Sequence, residues 1–157
     1  MPEPVDAQTW AAFEAAAPDL AAEGLRLLRQ GGEVSAFLAT VRGDSPPRIH
    51  TVTVGVVDGG LFLFALPSAK RTDLAHDGRY ALHAWQDPAR PGEFSIRGRA
   101  QRIDDPVRRG AVAAAWSFTA DATYELFELL VSTAVVGRRA SAEDWPPRYE
   151  TWAARAG

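Results

Sequence analysis

Between Ser35 and Leu66, three runs of strand-favouring residues are joined by connections too short to hold a crossover helix. That spacing demands antiparallel pairing. Ser35 to Val41 reads as a first strand. Arg48 to Val57, rich in Val, Ile and Thr, reads as one long second strand, and Leu61 to Leu66 as a third. Gly43-Asp44-Ser45-Pro46-Pro47 is turn chemistry, and Asp58-Gly59-Gly60 signals a tight reversal. The expected product is an antiparallel meander.

The rest of the chain extends this pattern. Ala69 to His76 is a short helix candidate, Tyr80 to Trp85 a fourth strand, and Gln86 to Gly92 a proline-containing loop. Glu93 to Asp104 carries the clearest alternation. Phe94, Ile96, Gly98 and Ala100 fall on one face, and Ser95, Arg97, Arg99 and Gln101 on the other, so one face is buried and the other wet and cationic. Asp105-Pro106 supplies a cap and a first-turn proline for a helix to about Trp116. Tyr124 to Val136 reads as a further strand, Asp144-Trp145-Pro146-Pro147 breaks it, and Arg148 to Trp152 returns as the last. Upstream, Thr9 caps a helix with Trp10, Phe13 and Ala17 on one side. Pro18-Asp19 opens a second helix, whose stripe is Leu20, Gly24, Leu27 and Leu28 and whose stop is Gly31-Gly32. Six or seven strands with short turns predict a mainly β (α+β) chain closed into a small barrel, with N-terminal helices and short flanking helices. An open α+β sheet with helices on one face is the alternative. The expected organisation is one domain over 1–157, with helices over 1–32 and the barrel over 33–157.

Composition excludes several classes. The chain has no cysteine, so disulfides, thiol catalysis and thiolate metal sites are out. It has no asparagine and therefore no N-glycosylation acceptor. No apolar stretch has the length of a membrane span, and no basic-then-apolar leader opens the sequence, so the cytoplasm is the expected location. A net charge of −3 argues against general nucleic-acid binding. His50, His76 and His83 show no metal-ligand spacing, and no nucleophile elbow or phosphate loop is present. Glu125 and Glu128, three apart on a strand, face opposite sides. A chain with no catalytic set of its own that is nonetheless an enzyme borrows its chemistry from a cofactor.

One cation stands out. Lys70 is the only lysine, and it lies in Ser68-Ala69-Lys70-Arg71 just after the third strand. A serine, two cations and the start of a helix can clamp an anion. Taken alone, the tetrapeptide reads more simply as a solvated turn in an arginine-biased chain. The segments around it change that.

Phe37-Leu38-Ala39-Thr40-Val41, Pro47-Arg48-Ile49-His50-Thr51-Val52 and Asp58-Gly59-Gly60-Leu61-Phe62-Leu63-Phe64 resemble the pyridoxamine 5'-phosphate oxidase-like family of flavin-binding split barrels. So do Ser68-Ala69-Lys70-Arg71-Thr72-Asp73-Leu74, Tyr80-Ala81-Leu82-His83-Ala84-Trp85 and Glu93-Phe94-Ser95-Ile96-Arg97-Gly98-Arg99-Ala100. The likeness runs from about Val34 to Ile103. It implies a six-stranded split barrel that forms a homodimer, with flavin mononucleotide (FMN) in grooves between the subunits. It implies that Arg48 and Lys70 grip the cofactor phosphate, aided by Ser68 and Arg71. It also implies that backbone along His50, Thr51, Val52 and Thr53, with Ile49 beside them, and around Phe64 and Ala65 lines the ring system. Three departures argue against vitamin B6 phosphate as substrate. Ala69 stands where the oxidase has a second cation, and Thr53 where it has a substrate-binding lysine. The oxidase's later Tyr, Arg and Ser motif has no counterpart in Val107 to Thr123.

Three functions are therefore expected to compete. The first is an FMN-dependent oxidoreductase acting on a small molecule. The second is a deazaflavin (F420) reductase of the same fold, with Arg97, Arg99 and Arg102 as a cationic track for that cofactor's acidic tail. The third is a non-enzymatic cofactor- or haem-binding dimer, in which His50, His76 or His83 would be the axial ligand. Trp145 and Trp152 are expected either across the dimer, closing the groove, or in the core.

Overall fold

The computed structural model describes residues 6–31 and 35–155. Helix α1 (Trp10–Ala16) is capped by Thr9, whose hydroxyl oxygen accepts from the Ala12 amide at 3.2 Å. Helix α2 (Pro18–Arg29) opens on its proline and ends before Gly31, with Gln30 as C-cap. Gly32, and with it the expected stop and the boundary between 32 and 33, lies outside the described residues. The two helices bury Trp10, Phe13, Leu27 and Leu28 in the same cluster as Phe94 and Ile96 of the sheet. Gly24 belongs to that stripe for a steric reason. A Cβ there would stand 2.5 Å from the Phe94 ring.

The strands are β1 (Ala36–Thr40), β2 (Arg48–Val52), β3 (Gly55–Val57), β4 (Gly60–Ala65), β5 (Arg79–Ala84), β6 (Gly92–Arg102), β7 (Glu125–Arg138) and β8 (Arg148–Ala153). Helix α3 (Ala69–His76) links β4 to β5, and α4 (Pro106–Ala114) links β6 to β7. All pairings are antiparallel, in the order β2-β1-β5-β6-β7-β4-β3, with β8 added to β7. The two ends of that path, β2 and β3, are consecutive in the chain and separated only by Thr53 and Val54. The expected long strand from Arg48 to Val57 is thus bent in the middle. Its first half pairs with β1 and its second half with β4, so the meander pairings hold and the sheet curls into a six-stranded split barrel. At the bend the ladder is interrupted, and the buried Ser35 hydroxyl lies 3.4 Å from both the Val54 amide and the Val54 carbonyl.

Strand β7 ties the two halves together. It pairs with β6 along most of its length, with β4 through Glu125–Glu128, and with β8 through Thr133–Arg138. Its ladder with β6 shifts register between Arg97 and Gly98. Only glycine fits at 98, because a Cβ would stand 1.8 Å from the Leu130 carbonyl oxygen, which also accepts from the Tyr80 hydroxyl at 2.9 Å. The predicted alternation along β6 holds where it was clearest. Phe94 and Ile96 are buried, and Arg97, Arg99 and Gln101 are exposed. A second, smaller core of Phe62, Phe64, Ile103, Val112 and Leu126 forms under α4. Among the described residues, no helix is long and apolar enough to cross a membrane.

Candidate functional site

Helix α3 begins where the sequence predicts, because Ser68 caps it. Its hydroxyl oxygen accepts from the Arg71 amide at 3.3 Å, and its proton goes to the Leu66 carbonyl at 2.9 Å. Lys70 then stands in the first turn, half-buried beside the bend between β2 and β3. Among the described residues no carboxylate pairs with it. Burial pushes its ammonium below the ordinary lysine pKa.

Lys70 lines a cleft of about 190 Å³. Thr51, Val52 and Thr53 form one wall, and Leu63, Phe64 and Leu66 another. Phe118 and Tyr124, from the segment between α4 and β7, complete it. The aromatic side is braced. Phe64 meets Trp116 edge-on at 5.1 Å and Tyr124 at 6.4 Å, and the Arg109 guanidinium lies 5.1 Å from the Phe64 ring centre. Of the residues expected at a cofactor site, Thr51, Val52, Thr53, Phe64 and Lys70 line this one cleft. Ala65 is fully buried beside it, and Ile49 is 76 % exposed on the outer face of β2. A second cavity, about 210 Å³, lies between α2, β3 and the end of α4; its one charged side chain is Arg29.

Arg48 and His50 share the inner face of β2, which brings them to α3. There the buried side chain of Asp73 collects them. One Arg48 guanidinium nitrogen, Nη1, donates to both Asp73 oxygens at 2.9 and 2.8 Å. Arg42 Nε donates to Oδ1 at 3.0 Å, and the Thr40 hydroxyl to Oδ2 at 2.8 Å. Burial opposes ionisation of Asp73, but hydrogen bonds from Arg48, Thr40 and Arg42 outweigh it and hold the carboxyl below its usual range. His50 Nε2 lies 3.2 Å from the Thr40 hydroxyl oxygen. Burial lowers the His50 pKa; the charges of Lys70 and Arg48 add to that, and Asp73 opposes them.

Sequence reasoning missed Thr40, Arg42 and Asp73. It also looked to Arg71 for the cation that Ala69 lacks. Arg71 donates to the Thr123 carbonyl at 2.9 Å and lies 3.7 Å from the Glu125 carboxylate. Arg42 is held beside Arg48 by the same carboxylate. The candidate cationic track is largely engaged elsewhere. Arg99 donates to the Asp77 carbonyl, and Arg102 lies near Asp104 and Glu125. No histidine lines the cleft. Among the described residues no three metal-ligating side chains converge. Of the two tryptophans singled out, Trp152 packs on Phe13 at 4.9 Å, whereas Trp145 is 70 % exposed under Arg139.

No family model matches the sequence, and no curated protein does. Solved structures do. A haem-binding protein from Mycobacterium smegmatis superposes with a TM-score of 0.60 at 19% identity, over 84% of this chain; the chain spans only 57% of that protein. A candidate pyridoxamine 5'-phosphate oxidase from Listeria innocua gives 0.56 at 17% identity, over 72% of this chain and 94% of that one. An FAD-binding protein from Mesorhizobium loti gives 0.54 at 18% identity, over 73% and 91%. With the bent β2–β3 closure and the two-faced β7, these likenesses establish that the chain has the split-barrel fold of the pyridoxamine 5'-phosphate oxidase-like proteins.

Proposed function

We propose that the chain binds FMN in the cleft beside Lys70 and serves as a flavin-dependent oxidoreductase, working as a homodimer on a small molecule. The observation that carries this reading is Lys70 itself. It is a half-buried ammonium with no carboxylate partner among the described residues, lining a cleft shared with strand residues and aromatic rings. The donor set suits a phosphate attached to a flat ring. Lys70 supplies positive charge in the cleft, Arg48 and Arg42 are gathered on Asp73 of the same helix, and Phe64, Phe118 and Tyr124 supply apolar surface. Bound flavin would supply hydride transfer at its ring system. The chain's own groups hold the phosphate, present backbone of Thr51 to Thr53 to the ring edge, and keep water off its face.

The cleft of one chain is small for this task. Its volume of about 190 Å³ falls below the roughly 300–1,000 Å³ usual for pockets that enclose a small molecule. Ile49, Leu66 and Phe37 stand exposed on or close to β1, β2 and the cleft mouth. A second copy covering them would complete the site, which supports the homodimer. The Mesorhizobium loti and Mycobacterium smegmatis proteins indicate that this fold holds large planar cofactors. Haem is the less supported occupant here, because no histidine is among the residues lining the cleft and the Nε2 of His50 lies against the Thr40 hydroxyl. F420 is less supported because Arg99 and Arg102 of its expected cationic track are engaged with backbone and acidic side chains.

The deciding experiment is the absorbance spectrum of the purified protein, followed by parallel titration of the apoprotein with FMN, F420 and haemin. Saturable FMN binding with bleaching by a reduced nicotinamide supports the reading. Preference for F420, a Soret band with haemin alone, or no binding at all removes it.

A further inference from the structure

The groups gathered at Asp73 are only partly used by the flavin reading. Arg42 and Arg48 both pair with this one buried carboxylate, and Lys70 stands close enough to act on His50 electrostatically. Fixed positive charge therefore exceeds negative charge at this end of the barrel. An anion relieves that surplus.

Thr40 is the hinge of the cluster. A hydroxyl carries one proton, and here it goes to Asp73 Oδ2 at 2.8 Å. The same oxygen is 3.2 Å from His50 Nε2. With its proton committed, Thr40 accepts there. The hydrogen-bond network thus assigns the ring hydrogen to Nε2 and leaves the lone pair on Nδ1. The charged groups facing the ring are Lys70 and Asp73 of α3 and Arg48 of its own strand, with Arg42, two residues beyond β1, bound to the same carboxylate.

We propose that His50 is a further member of this anion site, positioned through Thr40 by Asp73, and that it takes up a proton at Nδ1 when an anionic phosphate binds. The neutral ring presents a lone pair, which repels a phosphate oxygen. The imidazolium presents a second N–H, which donates to it, while Nε2–H stays on Thr40. The proton comes from solvent, and the ring gains one positive charge as the anion arrives. Binding therefore tightens as pH falls between the ring's midpoint with the anion and its lower midpoint without it. Burial and the neighbouring cations favour the neutral ring when the site is empty, which leaves room for that uptake. The identity of the anion as a flavin phosphate rests on the reading above; the coupling itself does not.

The test uses sulfate as probe, because the second ionisation of a phosphate monoester, at about pH 6, overlaps that of histidine. Imidazole nitrogen resonances of the full chain are followed across pH in chloride and in sulfate. The expected result is Nε2–H in the neutral ring and a His50 midpoint raised by about one pH unit or more in sulfate. Sulfate affinity should strengthen by up to about tenfold per pH unit within that window and become flat in His50→Gln. Thr40→Val, close in shape, should erase the Nε2–H preference. A midpoint indifferent to sulfate, or an unchanged pH slope in His50→Gln, overturns the proposal. FMN titration of the same samples separates the two ideas. FMN binding without a His50 response leaves the flavin and removes the coupling. A sulfate response without FMN binding removes the flavin and leaves the coupling.

Discussion

Asp73 holds Arg48 through both of its carboxylate oxygens, each within 2.9 Å of the same guanidinium nitrogen. The pair joins the first turns of α3 to the start of β2, and it leaves the rest of a fork-shaped, five-donor group to face outward. Arg48 is therefore a structural residue and a candidate ligand together, whereas Lys70 is only a candidate ligand.

That difference can be measured. Lys70→Ala should weaken FMN binding by about 1–3 kcal/mol, the scale of a lost charged hydrogen bond, with little change in unfolding midpoint. Arg48→Ala should weaken binding by a similar amount and lower stability as well, because Asp73 loses one of its partners. Fluorescence titration and urea unfolding of both variants read this out. Unchanged FMN affinity in both removes the phosphate assignment.

Asp73→Asn should destabilise the fold by about 1–3 kcal/mol at neutral pH, less than a fully sealed ion pair, since both arginines reach water. The sign of the pH dependence follows from the lowered carboxyl. Its contribution is complete above the unfolded-state pKa, about 3.9, and is lost as pH falls through the lower folded-state value. The stability gap between wild type and variant should therefore narrow only in acid, below about pH 4. A gap that closes near neutrality contradicts the assignment.

Gly98→Ala should cost about 3 kcal/mol or more, because the obstructing atom is a backbone oxygen that also receives the Tyr80 hydroxyl. Gly110→Ala, where nothing lies within 4 Å, is the control and should be neutral or mildly stabilising. Equal unfolding midpoints for the two variants would contradict the close packing at the β6–β7 bulge.

Ile49→Glu places a charge on a position 76 % exposed in the single chain. If the face around β2 meets a second copy, the variant should sediment as a monomer, with weakened FMN binding and a secondary structure unchanged by circular dichroism. A wild type that is already monomeric at micromolar concentration counts against the shared cleft.

Much of the fold is legible in the residues. Period-two alternation places Phe94 and Ile96 inside and Arg97 outside, and turn chemistry at Asp58-Gly59-Gly60 brings β4 back on β3. The bend at Thr53-Val54 is not legible, because β-propensity runs unbroken from Arg48 to Val57. Closure of the barrel, rather than any local preference, forces the two halves onto different partners. At the site, Lys70, Arg48 and Phe64 are reached through resemblance and position. Asp73 is not. It reads as one more polar residue on a short helix, since nothing in a helical period marks a carboxylate for burial.

Apart from the break at Thr53-Val54, the amino-acid order alone determined where strands, turns and caps form, since these depend mostly on neighbours two to four residues away. It also determined that Lys70 would follow β4 at a helix start. Only the tertiary structure decided what each charge does. Thr40, Arg42 and Arg48 reach Asp73 across 33, 31 and 25 residues of chain. A buried carboxylate is tolerable only when such distant donors converge on it. The same convergence ties up Arg48 and sets the tautomer of His50, while Lys70 remains without a carboxylate partner among the described residues.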